Sequence, residues 1–338
     1  MLFRSITIDH VLAIVNGGTH EASNVVPACG PCNAASNHMG SRVLPALPAR
    51  AAHRQTRLAP LVMRRIKLIV SYDGTAYSGW QKQPGLPTIQ TTLEDIVAGI
   101  EKKPVTVHGS GRTDAGVHAY AQVAMFNLEN PIPEANLRKA INRLLPSDIR
   151  IVSVEEVHPD FHPRFDAIAK TSLYTIFRAE VCPPFVRRYV HHYPYPADEA
   201  AMIALAPLFE GEHDFTAFAA ADAARDKRPN SKVRRIFSSA MWPEADRLVY
   251  RVRGSGFLKH MVRNMVGTLL EAGKGNLDGY GLRALLTGGG KCGATAPASG
   301  LFLVKVEYPE SYVQSIDTAD RADTDCTAER PAGSGCRD

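Results

Sequence analysis

The sequence predicts an α+β protein in which helices pack on one face of a mixed sheet. Two observations predict it. Along residues 63–157, strand-like alternation and helix-like periodicity succeed one another in the order strand, helix, strand, strand, helix, strand, which suits a sheet covered on one side. Residues 172–308 then repeat the mixture of periods.

The elements follow in chain order. MRRIKLIVSYDG sets Ile66, Leu68 and Val70 against Lys67 and Ser71, a half-buried strand that ends at the Asp73-Gly74 turn. Met63 reads as a natural chain start. Thr88 caps a helix whose Ile89, Leu93, Ile96, Val97 and Ile100 share one face, and Lys102-Lys103-Pro104 closes it. A short strand is expected at 105–107 and a longer one at 118–128. A second helix carries Leu137, Ile141, Leu144 and Leu145 and stops at Pro146; a strand follows at 149–157. Further strands are expected at 172–178 and 188–193, a helix at 199–209, and strands at 233–241 and 248–252. An apolar helix at 260–272, a shorter helix at 282–286 and a closing strand at 301–308 complete the set.

At 338 residues the chain exceeds one ordinary core. With 45% hydrophobic and 22% charged residues it is neither wholly disordered nor collagen-like. No apolar run approaches the ~20 residues of a membrane helix. The first twenty residues lack a small-residue cleavage site, so no signal peptide is read. Cysteines at 29, 32, 182, 292, 326 and 336 are too sparse for a disulfide framework, and a reducing, cytoplasmic setting is expected. Cys182 and Cys292 read as incidental thiols. Net charge is only +5, but Arg225, Lys227, Arg228, Lys232, Arg234 and Arg235 face one acid, Asp226. That stretch reads either as a solvated loop or as a phosphate contact. Residues 45–60 read as a Pro-, Ala- and Arg-rich linker, and 311–338 as a disordered tail. The expected divisions are 1–62, 63–165, 166–310 and 311–338.

One loop stands out chemically. Gly109-Ser110-Gly111-Arg112-Thr113-Asp114-Ala115-Gly116-Val117-His118 lies between two predicted strands. Its glycines allow a tight turn and close approach to a ligand, and Asp114 sits at its centre. An Asx turn is the bland reading. The string GRTDAGVHA, however, resembles the catalytic loop of the tRNA pseudouridine synthase A family. The resemblance spans about 250 residues, from Arg64 to Tyr308. Its other landmarks occur in order: YDGTAYSGWQKQP at 72–84, INRLLPSDI at 141–149, FHPRFDA at 161–167, FTAF at 215–218, GSGFLKHMVRNMVG at 254–267 and SGLFLVKVEYP at 299–309.

The resemblance implies a pseudouridine synthase fold of two RRM-like subdomains. It also implies isomerisation of uridine to pseudouridine at positions 38, 39 and 40 of the tRNA anticodon stem-loop, with no cofactor and no metal. Asp114 matches the family's aspartate and is expected to be the nucleophile, since an ionised carboxylate can attack sugar or base or take a proton. Arg263 matches the arginine that pairs with it; desolvation disfavours the carboxylate's charge and a guanidinium restores it. Arg112 matches an arginine that helps the target nucleotide leave the helix, a step costing a few kcal/mol. Where the family carries Lys/Arg-x-Tyr-x-Tyr, this chain reads Lys170-Thr171-Ser172-Leu173-Tyr174. Ser172 thus occupies the base-stacking position, and Tyr174 is read as pointing to the opposite sheet face. Stacking is worth ~1–3 kcal/mol, so a catalytically weak tRNA-binding protein is the alternative. The 225–235 stretch, Arg187, Arg188 and Lys259 are candidate phosphate contacts to the tRNA anticodon arm. Trp80 is expected near the site's rim, and a homodimer sharing one tRNA is implied.

Residues 9–38 carry a second resemblance. Asp9-His10, Gly17-Gly18, Asn24, Cys29-Gly-Pro-Cys32-Asn33 and His38 are similar to the back half of an HNH endonuclease. In that family the histidine is a base beside a metal, and the cysteine pair joins an upstream pair on zinc. Cys29 and Cys32, with His20 or His38, leave a four-ligand site incomplete. The expectation is a truncated nuclease remnant, with a nuclease fusion as the alternative.

Overall fold

The computed structural model describes residues 7–10, 25–28, 63–220 and 231–310. The chain divides into two units, Met1–Leu58 and Ala59–Asp338. In the first, β1 (Thr7–His10) pairs antiparallel with β2 (Val25–Ala28), Thr7 opposite Ala28 and His10 opposite Val25. The expected linker, Cys29 and Cys32, residues 225–230 and the expected tail lie outside the described residues.

The second unit is built on one sheet. Its elements are β3 (Arg64–Tyr72), α1 (Ile89–Glu101), β4 (His108–Gly109), β5 (His118–Leu128), α2 (Glu134–Leu144), β6 (Ile149–Val157) and β7 (Ala169–Phe177). There follow β8 (His191–His192), α3 (Glu199–Leu205), β9 (Gly211–Asp214), β10 (Val233–Glu244), β11 (Arg247–Gly254), α4 (Met261–Gly273), α5 (Gly279–Leu285) and β12 (Leu301–Glu307). The strand order is β6-β3-β5-β12-β7-β11-β10-β9, with β4 beside β5 and β8 beside β7. Pairing is antiparallel except for β12 on β5 and β8 on β7, so the sheet is mixed. The last strand, β12, runs between β5 and β7 and joins the two halves of the chain: Leu303 lies opposite Ala119 on one side and Ser172 on the other.

Register places the two cores on one face. Ile66, Leu68 and Val70 align with Phe126, Ala124 and Gln122 under α1 and α2. Tyr174, Tyr250 and Leu301 align under α3, α4 and α5. Thr88 caps α1 by accepting from the Thr91 amide, and Lys102 ends it at φ 59. Glu134 in the first turn of α2 and Arg143 in its last complement the helix dipole.

Several local expectations change for physical reasons. Residues 105–107 form no strand, because α1 side chains satisfy that backbone: Glu94 Oε1 accepts from the Val107 amide and Gln90 Nε2 donates to the Val107 carbonyl. Ladder pairing begins only at His108. The expected strand at 188–193 shrinks to His191–His192, since Tyr189 turns back on Val186. The helix at 199–209 tightens into a 3-10 turn at Ala206–Phe209, where Pro207 removes a donor. Leu144 is exposed at the end of α2. Trp80 is a core residue and not a rim residue; its ring lies directly under Gly109.

Candidate active site

The loop between β4 and β5 is held from three sides. From the sheet, the Ser110 amide donates to the Val123 carbonyl at 2.8 Å and Ser110 Oγ donates to Gln122 Oε1 at 2.6 Å. Gln122 Nε2 in turn donates to the Gly111 carbonyl at 2.9 Å. From β7, Lys170 Nζ donates to the Ser110 carbonyl at 2.6 Å. From the 73–80 loop, the Trp80 amide reaches the Thr113 carbonyl at 3.1 Å, and the hydroxyls of Tyr72 and Thr113 meet at 2.9 Å. Gly79 makes the approach of the Thr113 carbonyl possible: at φ +90, a Cβ there would stand 2.4 Å from that oxygen. Asp114 is therefore presented by backbone fixed before any substrate arrives.

Helix α4 supplies the facing groups. Arg263 Nη1 lies 3.2 Å from Asp114 Oδ2, and Arg263 Nε donates to the Ala296 carbonyl at 2.7 Å. The Ala296 amide returns a bond to the Arg263 carbonyl at 3.2 Å. The side chains of Arg263 and Asp114 are 15% and 22% exposed, so the pair is screened from bulk water while one carboxylate edge stays reachable. Residues 294–296 come this close because Gly267 leaves room; a Cβ there would sit 1.8 Å from the Ala294 carbonyl oxygen.

His260 was not singled out from the sequence, yet its Nε2 lies 3.6 Å from the same Asp114 oxygen. It precedes α4 in a left-handed conformation, φ 61, uncommon for a non-glycine residue. Burial holds its imidazole below the ordinary histidine range, with the Arg263 and Lys259 cations adding, against the pull of Asp114. A signal existed: His260 precedes Arg263 by three residues, one helical turn.

The other expected residues divide. Arg112 is on the same loop, its Nε donating to Gln81 Oε1 at 3.2 Å. Lys259 is exposed beside His260. Ser172 is 6% exposed on β7, between Val252 and Leu303. Tyr174 is not on the opposite face: residues two apart on a strand share a face, and Tyr174 lies buried beside Ser172's row with its hydroxyl donating to the Pro297 carbonyl at 2.8 Å. Lys170 completes that row. Burial, then the Arg164 charge, pushes its ammonium down to about 8. Arg187 and Arg188 do not join the site. Their segment covers the other sheet face, where Val186, Tyr189 and Val190 line an open cavity with Phe302 and Trp242, and the Arg188 carbonyl meets His118 Nε2 at 2.9 Å.

A carboxylate facing a largely buried arginine, on a braced glycine-rich loop, is an arrangement suited to an enzyme that uses an aspartate. Residues 68–166 and 205–309 match the family model described as tRNA pseudouridine synthase. A protein named tRNA pseudouridine synthase A from Solibacter usitatus is 65% identical over 247 residues, covering 73% of this chain and all of that one. Proteins of the same name from Citrifermentans bemidjiense and Methylobacterium nodulans are 44% and 40% identical, each matched over 99% of its length and over 73% and 75% of this chain. The chain belongs to the tRNA pseudouridine synthase family, whose members are isomerases that convert uridine in tRNA to pseudouridine. Separately, residues 2–38 match the HNH endonuclease family model; that stretch contains the paired strands β1 and β2, with Asp9 and His10 on β1. No helix among the described residues is long and apolar enough to cross a membrane.

Proposed function

We propose that the protein isomerises uridine to pseudouridine at positions 38, 39 and 40 of the tRNA anticodon stem-loop, with Asp114 as nucleophile. The observation that carries this reading is the Asp114–Arg263 contact on a loop fixed from three sides. In the reaction the C1′–N1 bond breaks, the uracil turns and C5 bonds to C1′. The C5 proton leaves and N1 gains one, so atoms and electrons balance within the substrate. Arg263 orients the carboxylate, and its bond to the Ala296 carbonyl fixes the guanidinium plane. Arg112, at the loop's exposed edge, fills the space the target nucleotide vacates. Ser172 forms the floor on which the uracil turns, with Tyr174 buried behind it.

Lys259 and the described part of the basic stretch, Lys232, Arg234 and Arg235, contact backbone phosphates of the anticodon arm, as A-form RNA recognition requires. Arg187 and Arg188 fit a homodimer in which one tRNA touches both subunits. The far sheet face supports that arrangement: Tyr120, 56% exposed, stacks on Phe302 at 4.9 Å beside the cavity, an aromatic surface of the kind interfaces favour. The enzyme acts in the cytoplasm. Residues 63–165 and 166–310 work as its two subdomains, preceded by the HNH-like segment at 2–38. Ser172 favours one second reading, a tRNA-binding protein of feeble turnover.

The test uses an anticodon-arm transcript carrying tritium at uridine C5. Isomerisation releases the label to water. Release by the wild type, none by Asp114→Asn and retained tRNA binding by both are expected. No release from either protein overturns the reading.

A further inference from the structure

The loop between β6 and β7 carries two phenylalanines in opposite settings. Phe161 is 1% exposed and meets Tyr308 edge-on at 5.1 Å in the first core. Phe165, four residues on, is 73% exposed. The loop is built and not slack. The His162 amide donates to Asp166 Oδ2 at 2.8 Å, the Asp166 amide to the His162 carbonyl at 3.1 Å, and the Tyr308 hydroxyl to the Pro163 carbonyl at 2.7 Å.

A phenyl ring held in water contributes little to folding, and a single exposed apolar residue would need no explanation. Phe165 is not single. Its ring lies against His162, centroids 4.3 Å apart at 32°, and the Arg164 guanidinium carbon is 5.6 Å from its centroid. His162 meets His108 at 5.7 Å, and His108 opens the short strand that runs directly into the Asp114 loop. Burial, with His108 next, holds His162 below the ordinary histidine range, so an uncharged aromatic backs the phenyl ring at pH 7. Aromatic rings beside an arginine, continuous with the site, match the chemistry of an unpaired nucleotide: a base to stack and a phosphate to pair.

We propose that Phe165, backed by His162 and flanked by Arg164, is a second base-stacking platform that receives an unpaired base next to the target uridine. The platform rests on the pseudouridine reading and deepens it. Taking the target out of the stack leaves a neighbouring base without its partner, and Phe165 offers that base a new one. At the target itself Ser172 offers no ring.

The test measures binding of anticodon-arm RNA to the full chain by fluorescence anisotropy. Wild type, Phe165→Ala and Phe165→Trp are compared on an intact arm and on arms with one abasic nucleotide at each position flanking the target. Phe165→Ala weakens binding to the intact arm on the order of tenfold to a hundredfold, and Phe165→Trp restores it. On one abasic arm wild type and Phe165→Ala bind alike, an equality that a merely structural defect would not produce. Equal affinity on the intact arm overturns the platform, and so does a loss of the same size on every abasic arm. A loss accompanied by a lower sedimentation coefficient overturns it in favour of a subunit contact. If the wild type forms no pseudouridine and binds no arm, the proposed function fails first; if it converts uridine while Phe165→Ala matches it throughout, the platform alone fails.

Discussion

Asp114 and Arg263, 149 residues apart in sequence, meet at 3.2 Å across the centre of one sheet. Their meeting depends on β12, which lies between the strands of the two halves, and on the residues just before it, where the Ala296 carbonyl takes the other side of the guanidinium. Neither half of the chain contains the pair alone.

Removing either member separates chemistry from binding. Asp114→Asn lowers the single-turnover rate on the order of a thousandfold or more, with tRNA affinity within a few-fold of wild type. Arg263→Met leaves a half-buried carboxylate and the Ala296 carbonyl without their partner, costing about 2–3 kcal/mol of stability, read as a lower urea midpoint. An Arg263→Met protein with unchanged midpoint and rate contradicts the assigned role.

Lys170 gives the loop a pH response. Its ammonium titrates near 8 when folded, against 10.5 ordinarily. Between those values the unfolded chain keeps a proton that the folded chain has released, so folding stability rises with pH across that window. Activity moves the other way, because the bond to the Ser110 carbonyl loses its charge assistance. The rate is expected to fall several-fold as pH rises through 8. Lys170→Arg stays charged and removes that limb; a pH–rate profile on both proteins checks it.

Ser172→Tyr restores a ring where the family stacks the base. The site is nearly closed, so the ring displaces neighbours at about 1–3 kcal/mol, visible as a lower Tm. Turnover of the anticodon-arm substrate rises about tenfold, the worth of one stacking contact at its lower end. A variant that loses stability and gains no rate shows that the reaction does not use a ring at this position.

His191 sets an acid limit. Its Nδ1 is buried without a hydrogen-bond partner among the described residues. Burial, with His192 adding, brings the imidazole down to about 4. Between 4 and the ordinary 6.5 the unfolded chain binds a proton that the folded chain does not, so stability falls as pH drops through that range. His191→Phe keeps the packing against Tyr174 and Tyr193 and is expected to be more stable by roughly 1–3 kcal/mol at pH 4.5. Urea denaturation at pH 7 and 4.5 measures the difference.

Local signals carried most of the fold. Thr88 marked the start of α1, Lys102 its end, and alternating apolar residues marked β3 and β6, because each is decided within a few neighbours. What escaped depends on distant partners. Glu94 and Gln90 occupy the backbone at Val107, and no local pattern at 105–107 reveals that. Strand β9, Gly211–Asp214, has almost no apolar residue and exists because β10 offers it an edge. At the site, Asp114, Arg263 and Arg112 were legible through ordered motifs. His260 and Lys170 reach Asp114 and its loop from other parts of the chain, and strand periodicity puts Ser172 and Tyr174 on one face.

On the proposed function, this site makes pseudouridine in the anticodon arm. Purified protein is incubated with unmodified tRNA transcript, and pseudouridine is mapped by chemical adduct and primer extension. Stops at uridines 38, 39 and 40, absent with Asp114→Asn, are the predicted result. An unmodified arm, with tRNA still bound by the wild-type protein, would contradict the claim and leave a binding protein in its place.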